Sequence, residues 1–157
     1  MIEVSFFPIL AAGIASVLIA FVWYHPSVFG GIWVRLNPLS PEMAEKGKRR
    51  MPLYVFIALL ASMLAAYVMS YFGMTWQVYD WIGAIELGFW CWLGFTAVPM
   101  LGMVLWEQKP FRVYLIVAFQ WLITFIVMAI ILVVGSNILN NTVNGTSGDL
   151  QSDYLSE

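Results

Sequence analysis

The sequence predicts an all-α integral membrane protein: a bundle of four membrane-crossing helices with short loops and a polar, disordered C-terminal tail. The first observation is composition, since 62% of the 157 residues are hydrophobic and only 10% are charged, whereas charged residues make up about 25% of soluble domains. The second is length, because a helix needs about 20 apolar residues to cross a bilayer. Four runs approach or exceed that length: 6–24, 53–72, 81–105 and 111–135.

The first run carries a face of small residues. Ala12, Ser16 and Ala20 recur every four positions, a spacing that lets another helix backbone approach closely within a membrane. No Lys or Arg precedes the run, and it is longer than the core of about 7–15 residues in a cleavable signal peptide. We therefore expect it to be retained as a membrane helix.

A short surface helix is predicted after the first run. Pro26 disfavours helix at the residue before it, so the first membrane helix should end at the aromatic pair that precedes His25. Beyond it, Phe29, Trp33 and Leu36 have the spacing of one helical face. We expect this segment to lie on the membrane surface and not to cross it.

A polar loop, 37–51, precedes the second run. Ser40, Pro41 and Glu42 have the pattern of an N-cap, a first helical position and an acidic first turn. Pro52 is expected at the first position of the second membrane helix. The loop also holds a basic cluster, which favours anionic headgroups and sets orientation: Lys46, Lys48, Arg49 and Arg50.

The second run also carries a face of small residues. They again occur every four positions, at Ala58, Ser62, Ala66 and Ser70. Two such faces on consecutive helices predict a close antiparallel pair between the first and second runs.

The third run carries an acid, Glu86, inside a segment long enough to cross the membrane. Gly83, Glu86 and Gly94 fall in one narrow sector of a helix. Because small residues mark the packing side, we expect Glu86 to point into the bundle, where Gln120 of the fourth run is one candidate partner. Pro99 should kink this helix.

The fourth run carries Gln120 and Thr124 four positions apart, a pattern that predicts an interhelical hydrogen-bonding pair. After Gly135 the composition changes to Asn, Ser, Thr, Gly and Asp. This predicts a membrane domain over 1–136 and a disordered tail over 137–157.

Charge distribution predicts the orientation. All seven Lys and Arg residues lie in two loops, after the first and third runs. The positive-inside rule then places loops 25–52 and 106–112 in the cytoplasm and both termini outside. Four cations in one loop are too few to indicate a nucleic-acid binding surface, so we expect no nucleic-acid partner.

The sequence assigns no catalytic residue, cofactor or metal site. Cys91 and His25 are the only cysteine and histidine, so one chain cannot assemble a disulfide framework or a Cys and His metal cluster. His25 is a candidate sensor because its unperturbed pKa is about 6.5. Glu107 is expected to pair with Lys109 or Arg112 in a loop. The candidate functional polar residues are therefore Glu86, His25, Gln120 and Glu107.

Several motifs are distinctive in type and order. They are Trp23-Tyr24-His25-Pro26 with Phe29, Gly30 and Trp33; Trp92-Leu93-Gly94-Phe95 with Pro99; and Leu105-Trp106-Glu107 with Lys109-Pro110. In these the chain resembles a family of small bacterial membrane proteins known as domain of unknown function 1761, over roughly residues 8–135. The resemblance implies a four-helix protein of the bacterial inner membrane, and it implies no activity and no catalytic residue.

Three functions remain open. The first is a non-enzymatic protein that self-associates and passes or senses a small solute or ion, because four short-looped helices enclose little space alone. The second is an assembly or stabilising subunit, whose small-residue faces dock on a larger membrane partner. The third, a membrane-embedded enzyme, is less favoured because no nucleophile and base pair or metal set is present. The one partner that composition requires is the lipid bilayer.

Overall fold

The computed structural model describes the backbone of residues 6–38 and 40–155, and the side chains of these residues except 140 and 143–155. This part of the chain is helical and holds no strand. The helices are α1 (Phe6–Trp23), α2 (Gly31–Leu36), α3 (Pro41–Thr75), α4 (Trp81–Trp92), α5 (Val98–Met100), α6 (Gly102–Leu105) and α7 (Phe111–Leu155), with π-helical turns at Pro26–Gly30 and Leu93–Ala97.

Four of the helical stretches are long and apolar enough to cross a membrane. They are Phe6–Trp23, Pro41–Thr75, Trp81–Leu105 and Phe111–Leu139. The predicted fold class, a bundle of four membrane-crossing helices, is therefore confirmed.

The last helix is the centre of the bundle. α7 lies against α1, α3 and α4, and α1 also lies against α3. In the most apolar stretch of α7, 44% of the residues are buried, against 22–28% in the other three crossings. The core is built around Met128 and Ala129 of α7, which are fully buried.

The second crossing begins earlier than expected. Ser40 caps α3, its Oγ accepting the Met43 N–H at 3.3 Å, so the predicted cap is confirmed. Pro52, however, lies inside this 35-residue helix and not at its start. The residues before it are mostly Glu, Lys, Arg and Met, which are strong helix formers, and extending a capped helix is far easier than starting a new one. At 1.5 Å per residue α3 is about 52 Å long, so its first turns extend beyond about 30 Å of hydrocarbon.

The third crossing is broken at the predicted position. A π-helical turn, Leu93–Ala97, precedes Pro99, and a turn at Leu101 separates α5 from α6. The Leu101 N–H donates to Val98 O at 3.1 Å. The Ala97 carbonyl instead accepts the hydroxyl of Tyr114 at 3.1 Å. Trp92 Nε1 donates to Ala118 O at 2.8 Å. Residues of α7 therefore make hydrogen bonds at both ends of the π-helical turn.

The last helix continues to Leu155, through most of the stretch predicted as a disordered tail over 137–157. Residues 156 and 157 lie outside the described part of the chain. No proline follows Pro110, so no residue of this stretch forces the helix to end, and the disorder of the tail stays a prediction. Gly and Asn each disfavour helix by about 1 kcal/mol or less, and propagation from an established helix tolerates them.

Candidate functional site

The small-residue faces of α1 and α3 meet as predicted at their centre. Ser16 and Ser62 are 4% and 5% exposed, and their hydroxyl oxygens are 2.9 Å apart in a hydrogen bond. A Cβ at Gly13 would lie 2.7 Å from Met63 Cγ, which shows how closely the two helices approach. Ala12, Ala66 and Ser70 are also buried.

The same faces open toward one end. Ala20 is only half-buried and Ala58 is exposed, so these two do not close the helix contact as the spacing predicted. They line a groove of about 570 Å³ between α1, α3 and α7, hereafter the lateral groove. Its walls are mostly apolar, and its lining includes Val17, Phe21, Tyr24, Met51, Tyr54, Val55 and Trp121.

The floor of the lateral groove is polar. Gln120 of α7 lies there with Ser16 and Ser62, and Gln120 is 4% exposed. Its Nε2 donates to Thr124 Oγ1 at 3.0 Å, and the Thr124 hydroxyl donates to the Gln120 main-chain carbonyl at 2.9 Å. The predicted interhelical pair is therefore wrong, because residues four apart on a helix are neighbours and satisfy each other.

This local bonding fixes the amide orientation of Gln120. Because the Thr124 hydroxyl proton is committed to the backbone, its oxygen can only accept, so Gln120 presents the NH₂ group to it. No hydrogen bond joins the amide oxygen Oε1 to another described residue. Since every buried polar side-chain atom of the described residues has a partner, Oε1 itself is not buried. Oε1 is thus available to a donor in the lateral groove.

The serine pair leaves a second group available. In the Ser16 and Ser62 contact one hydroxyl donates and the other accepts, so the accepting hydroxyl keeps its own proton. At the open end, burial raises the pKa of the Tyr24 hydroxyl above its usual value. The groove thus offers an acceptor and a donor on an otherwise apolar surface, the usual composition of a small-molecule site.

A family model described as a protein of unknown function (DUF1761) matches residues 7–133. The chain belongs to this family. No curated protein and no solved structure matches the chain.

The first motif on which the resemblance rested forms one folded unit in this DUF1761 member. The rings of Trp23 and Phe29 have centroids 4.4 Å apart, and those of Tyr24 and Trp33 are 5.8 Å apart. Trp23 Nε1 also donates to Ile116 O of α7 at 3.0 Å. A Cβ at Gly30 would overlap the Tyr24 carbonyl oxygen. Through these contacts the π-helical turn and α2 pack near the end of α1, and Tyr24 is the residue of this motif that lines the lateral groove.

His25 has a structural role within this unit. It is the N-cap of the π-helical turn, and its Nδ1 accepts the Ser27 N–H at 3.3 Å. His25 does not line the lateral groove. The geometry accounts for this residue as a cap, and a sensing role stays a prediction.

Glu86 does not point into the bundle as predicted. It is exposed, and the buried face of α4 consists of Ala84, Leu87, Gly88 and Cys91. The two glycines that suggested the packing side of α4 do not lie in its contact with α7. Gly83 lies beside the N-cap Asp80, and a Cβ at Gly94 would meet nothing within 4 Å.

The glycine that marks the packing side of α4 is Gly88. A Cβ there would lie 2.8–2.9 Å from backbone atoms of Phe125 and Ile126 in α7. Gly88 is two residues from Glu86, which places the two about 200° apart around the helix. Ala84 and Gly88, four residues apart, were the available sequence signal. A functional role for Glu86 stays a prediction.

Glu107 lies apart from the other candidates. It forms an ion pair with Lys109, with 2.7 Å between Oε2 and Nζ, so Lys109 and not Arg112 is its partner. Both side chains are exposed, and such pairs contribute about 0–1 kcal/mol. Glu107 lines a second groove of about 550 Å³ beside Thr96 and Pro99. Among the described residues, no group of three His, Cys, Asp or Glu side chains is placed to hold a metal ion.

Proposed function

We propose that this membrane protein is a non-enzymatic binding protein that senses or passes a small amphipathic solute through the lateral groove. The observation that carries the proposal is the polar floor of Ser16, Ser62 and Gln120 at the base of an apolar groove of about 570 Å³. Ligand sites in proteins commonly have volumes of about 300–1,000 Å³, apolar walls and few polar groups.

The chemistry of the groove defines the solute. Gln120 Oε1 accepts a hydrogen bond and the free serine proton donates one, so the head of the solute carries a hydroxyl or amide. The exposed wall residues Phe21, Tyr54 and Ala58 leave the groove open at the side, where an apolar tail enters from lipid. A freely water-soluble ion lacks this tail and fits the groove less well.

The groove is tested with a photoreactive octanol that carries a diazirine ring, and with the matching octane that lacks the hydroxyl. In lipid vesicles we expect the octanol to form adducts on lining residues such as Tyr24 and Tyr54, mapped by mass spectrometry. Ala58→Phe fills the groove from an exposed position and should remove most of the adduct.

Leu64→Phe is the matched control, because Leu64 is 65% exposed on the same helix and does not line the groove. Its adducts should equal those of the parent protein. Equal labelling of the parent and Ala58→Phe would refute the proposed site. Equal labelling by the octanol and the octane would show that the polar floor does not contribute to binding.

We propose the orientation that the charges indicate, with the loops 25–52 and 106–112 in the cytoplasm of a plasma membrane. The support is that the Lys and Arg residues all lie in those loops. In a Cys91→Ala background, an impermeant thiol reagent added to intact cells should modify Ser147→Cys and spare Lys48→Cys. The reverse pattern would show that the orientation is the opposite one, with the open end of the lateral groove in the outer leaflet.

Self-association and a role as a subunit of a larger complex stay predictions. The mass of the protein purified alone in mild detergent separates them, since a stable oligomer of one chain supports the first and an unstable monomer supports the second.

A further inference from the structure

A charged surface on α3 lies outside the proposed solute site. We infer that it binds the phosphate of an anionic lipid headgroup, through Lys46, Arg49 and Arg50, hereafter the basic face. This inference is independent of the proposed function, because none of the three residues lines the lateral groove.

The basic face forms because the polar segment before the second crossing is the helical start of α3. At 100° per residue, Lys46, Arg49 and Arg50 fall within a sector of about 100°, whereas Lys48 lies about 200° from Lys46 on the opposite side. The three cations border a groove of about 850 Å³. Its other lining residues are Glu42, Glu45, Pro52 and Leu53, and Lys48 is not among them.

The three cations are free to bind an anion. All are exposed, and the ion pair that occurs among the described residues joins Lys109 to Glu107. The nearby acids Glu42 and Glu45 therefore leave the basic face uncompensated by a carboxylate within 4.0 Å. Guanidinium groups bind phosphate oxygens through two parallel hydrogen bonds, and two of the three cations are arginines.

Position along α3 selects a lipid as the source of the phosphate. Glu42 and Glu45 come first, the cations follow, and Pro52 and Leu53 begin the apolar part of the helix. The cations thus lie at the boundary where headgroup phosphates are found. The apolar end of the same groove can contact the glycerol and upper acyl chain, which free phosphate lacks.

The test is native mass spectrometry of the full chain, with phosphatidylglycerol and phosphatidylcholine offered in equal amounts. The parent should retain phosphatidylglycerol selectively. Arg49→Gln with Arg50→Gln should lower its retention on the order of twentyfold, because each juxtamembrane cation contributes about fivefold. Lys48→Gln is the matched control, since it removes a charge of the same loop from the other side of the helix.

Losses in Arg49→Gln and in Arg50→Gln no larger than the loss in Lys48→Gln, which also removes one charge, would show diffuse attraction and overturn the basic face as a site. Competition by inorganic phosphate as strong as that by phosphatidylglycerol would show a free-anion site and overturn the lipid assignment, as would equal retention of the two lipids. Thermal unfolding in phosphatidylcholine should be unchanged in all variants. If the double variant unfolds, the single variants Arg49→Gln and Arg50→Gln provide the same comparison.

Discussion

Gly88→Leu should prevent α4 from docking on α7, and Gly88→Ala should lower the free energy of unfolding by about 1–3 kcal/mol, the usual effect of overpacking. A Cβ at Gly88 would lie 2.8 Å from Ile126 Cα, 2.9 Å from Ile126 N and 2.9 Å from Phe125 O. These are backbone atoms of the central helix, so no side chain can rotate away to make room. Thermal unfolding in mild detergent measures both effects.

Gly94→Ala is the control for this prediction. Gly94 lies in the same crossing, but a Cβ there would meet nothing within 4 Å. Alanine is favoured over glycine in a helix by up to about 1 kcal/mol, so this variant should be as stable as the parent or slightly more stable. Equal unfolding temperatures for Gly88→Ala and Gly94→Ala would contradict the close contact of α4 with α7.

Ser62→Leu is expected to have the second largest effect, on the contact between α1 and α3. It removes a hydrogen bond worth about 0.6–1.7 kcal/mol in a membrane protein and adds volume beside Ser16, where overpacking adds about 1–3 kcal/mol. Ser62→Ala removes the hydrogen bond alone and should show only the smaller loss. Thermal unfolding in detergent compares the two.

The position one turn earlier supplies the control. Ala58 belongs to the same row of small residues but is exposed, so Ala58→Leu should leave the unfolding temperature unchanged. If Ser62→Leu proves as stable as the parent, this face of α3 contacts lipid and not α1.

The sequence predicted the crossings and the first helix pair because both depend on local patterns. Apolar length defines a crossing, and two rows of small residues, including Ser16 and Ser62, mark the faces of α1 and α3 that pack together. The start of α3 was missed because Pro52 stands where a membrane helix often begins. Whether a helix starts at a proline or continues through it depends on the capped turn at Ser40.

The direction of Glu86 was missed for a different reason. α4 carries glycines on more than one side, and only the backbone of α7 decides which of them is needed for close packing. The lateral groove could not be predicted from the sequence for the same reason. Its floor is formed by residues of three helices, and no local pattern specifies how these helices are rotated relative to one another. Gln120 was found as a candidate, but Ser16 and Ser62 were identified only as packing residues.

The central place of α7 has a consequence for how the protein is made. A ribosome delivers α1, α3 and α4 to the membrane before α7 exists, so α4 is inserted before the helix that covers its buried face. α1 and α3 can pair early, through the Ser16 and Ser62 contact, whereas before α7 is present α4 can pack only against α3, over a smaller surface. We therefore expect the first three crossings to leave the translocon as a hairpin and a loosely held third helix, which then pack around α7 into one bundle.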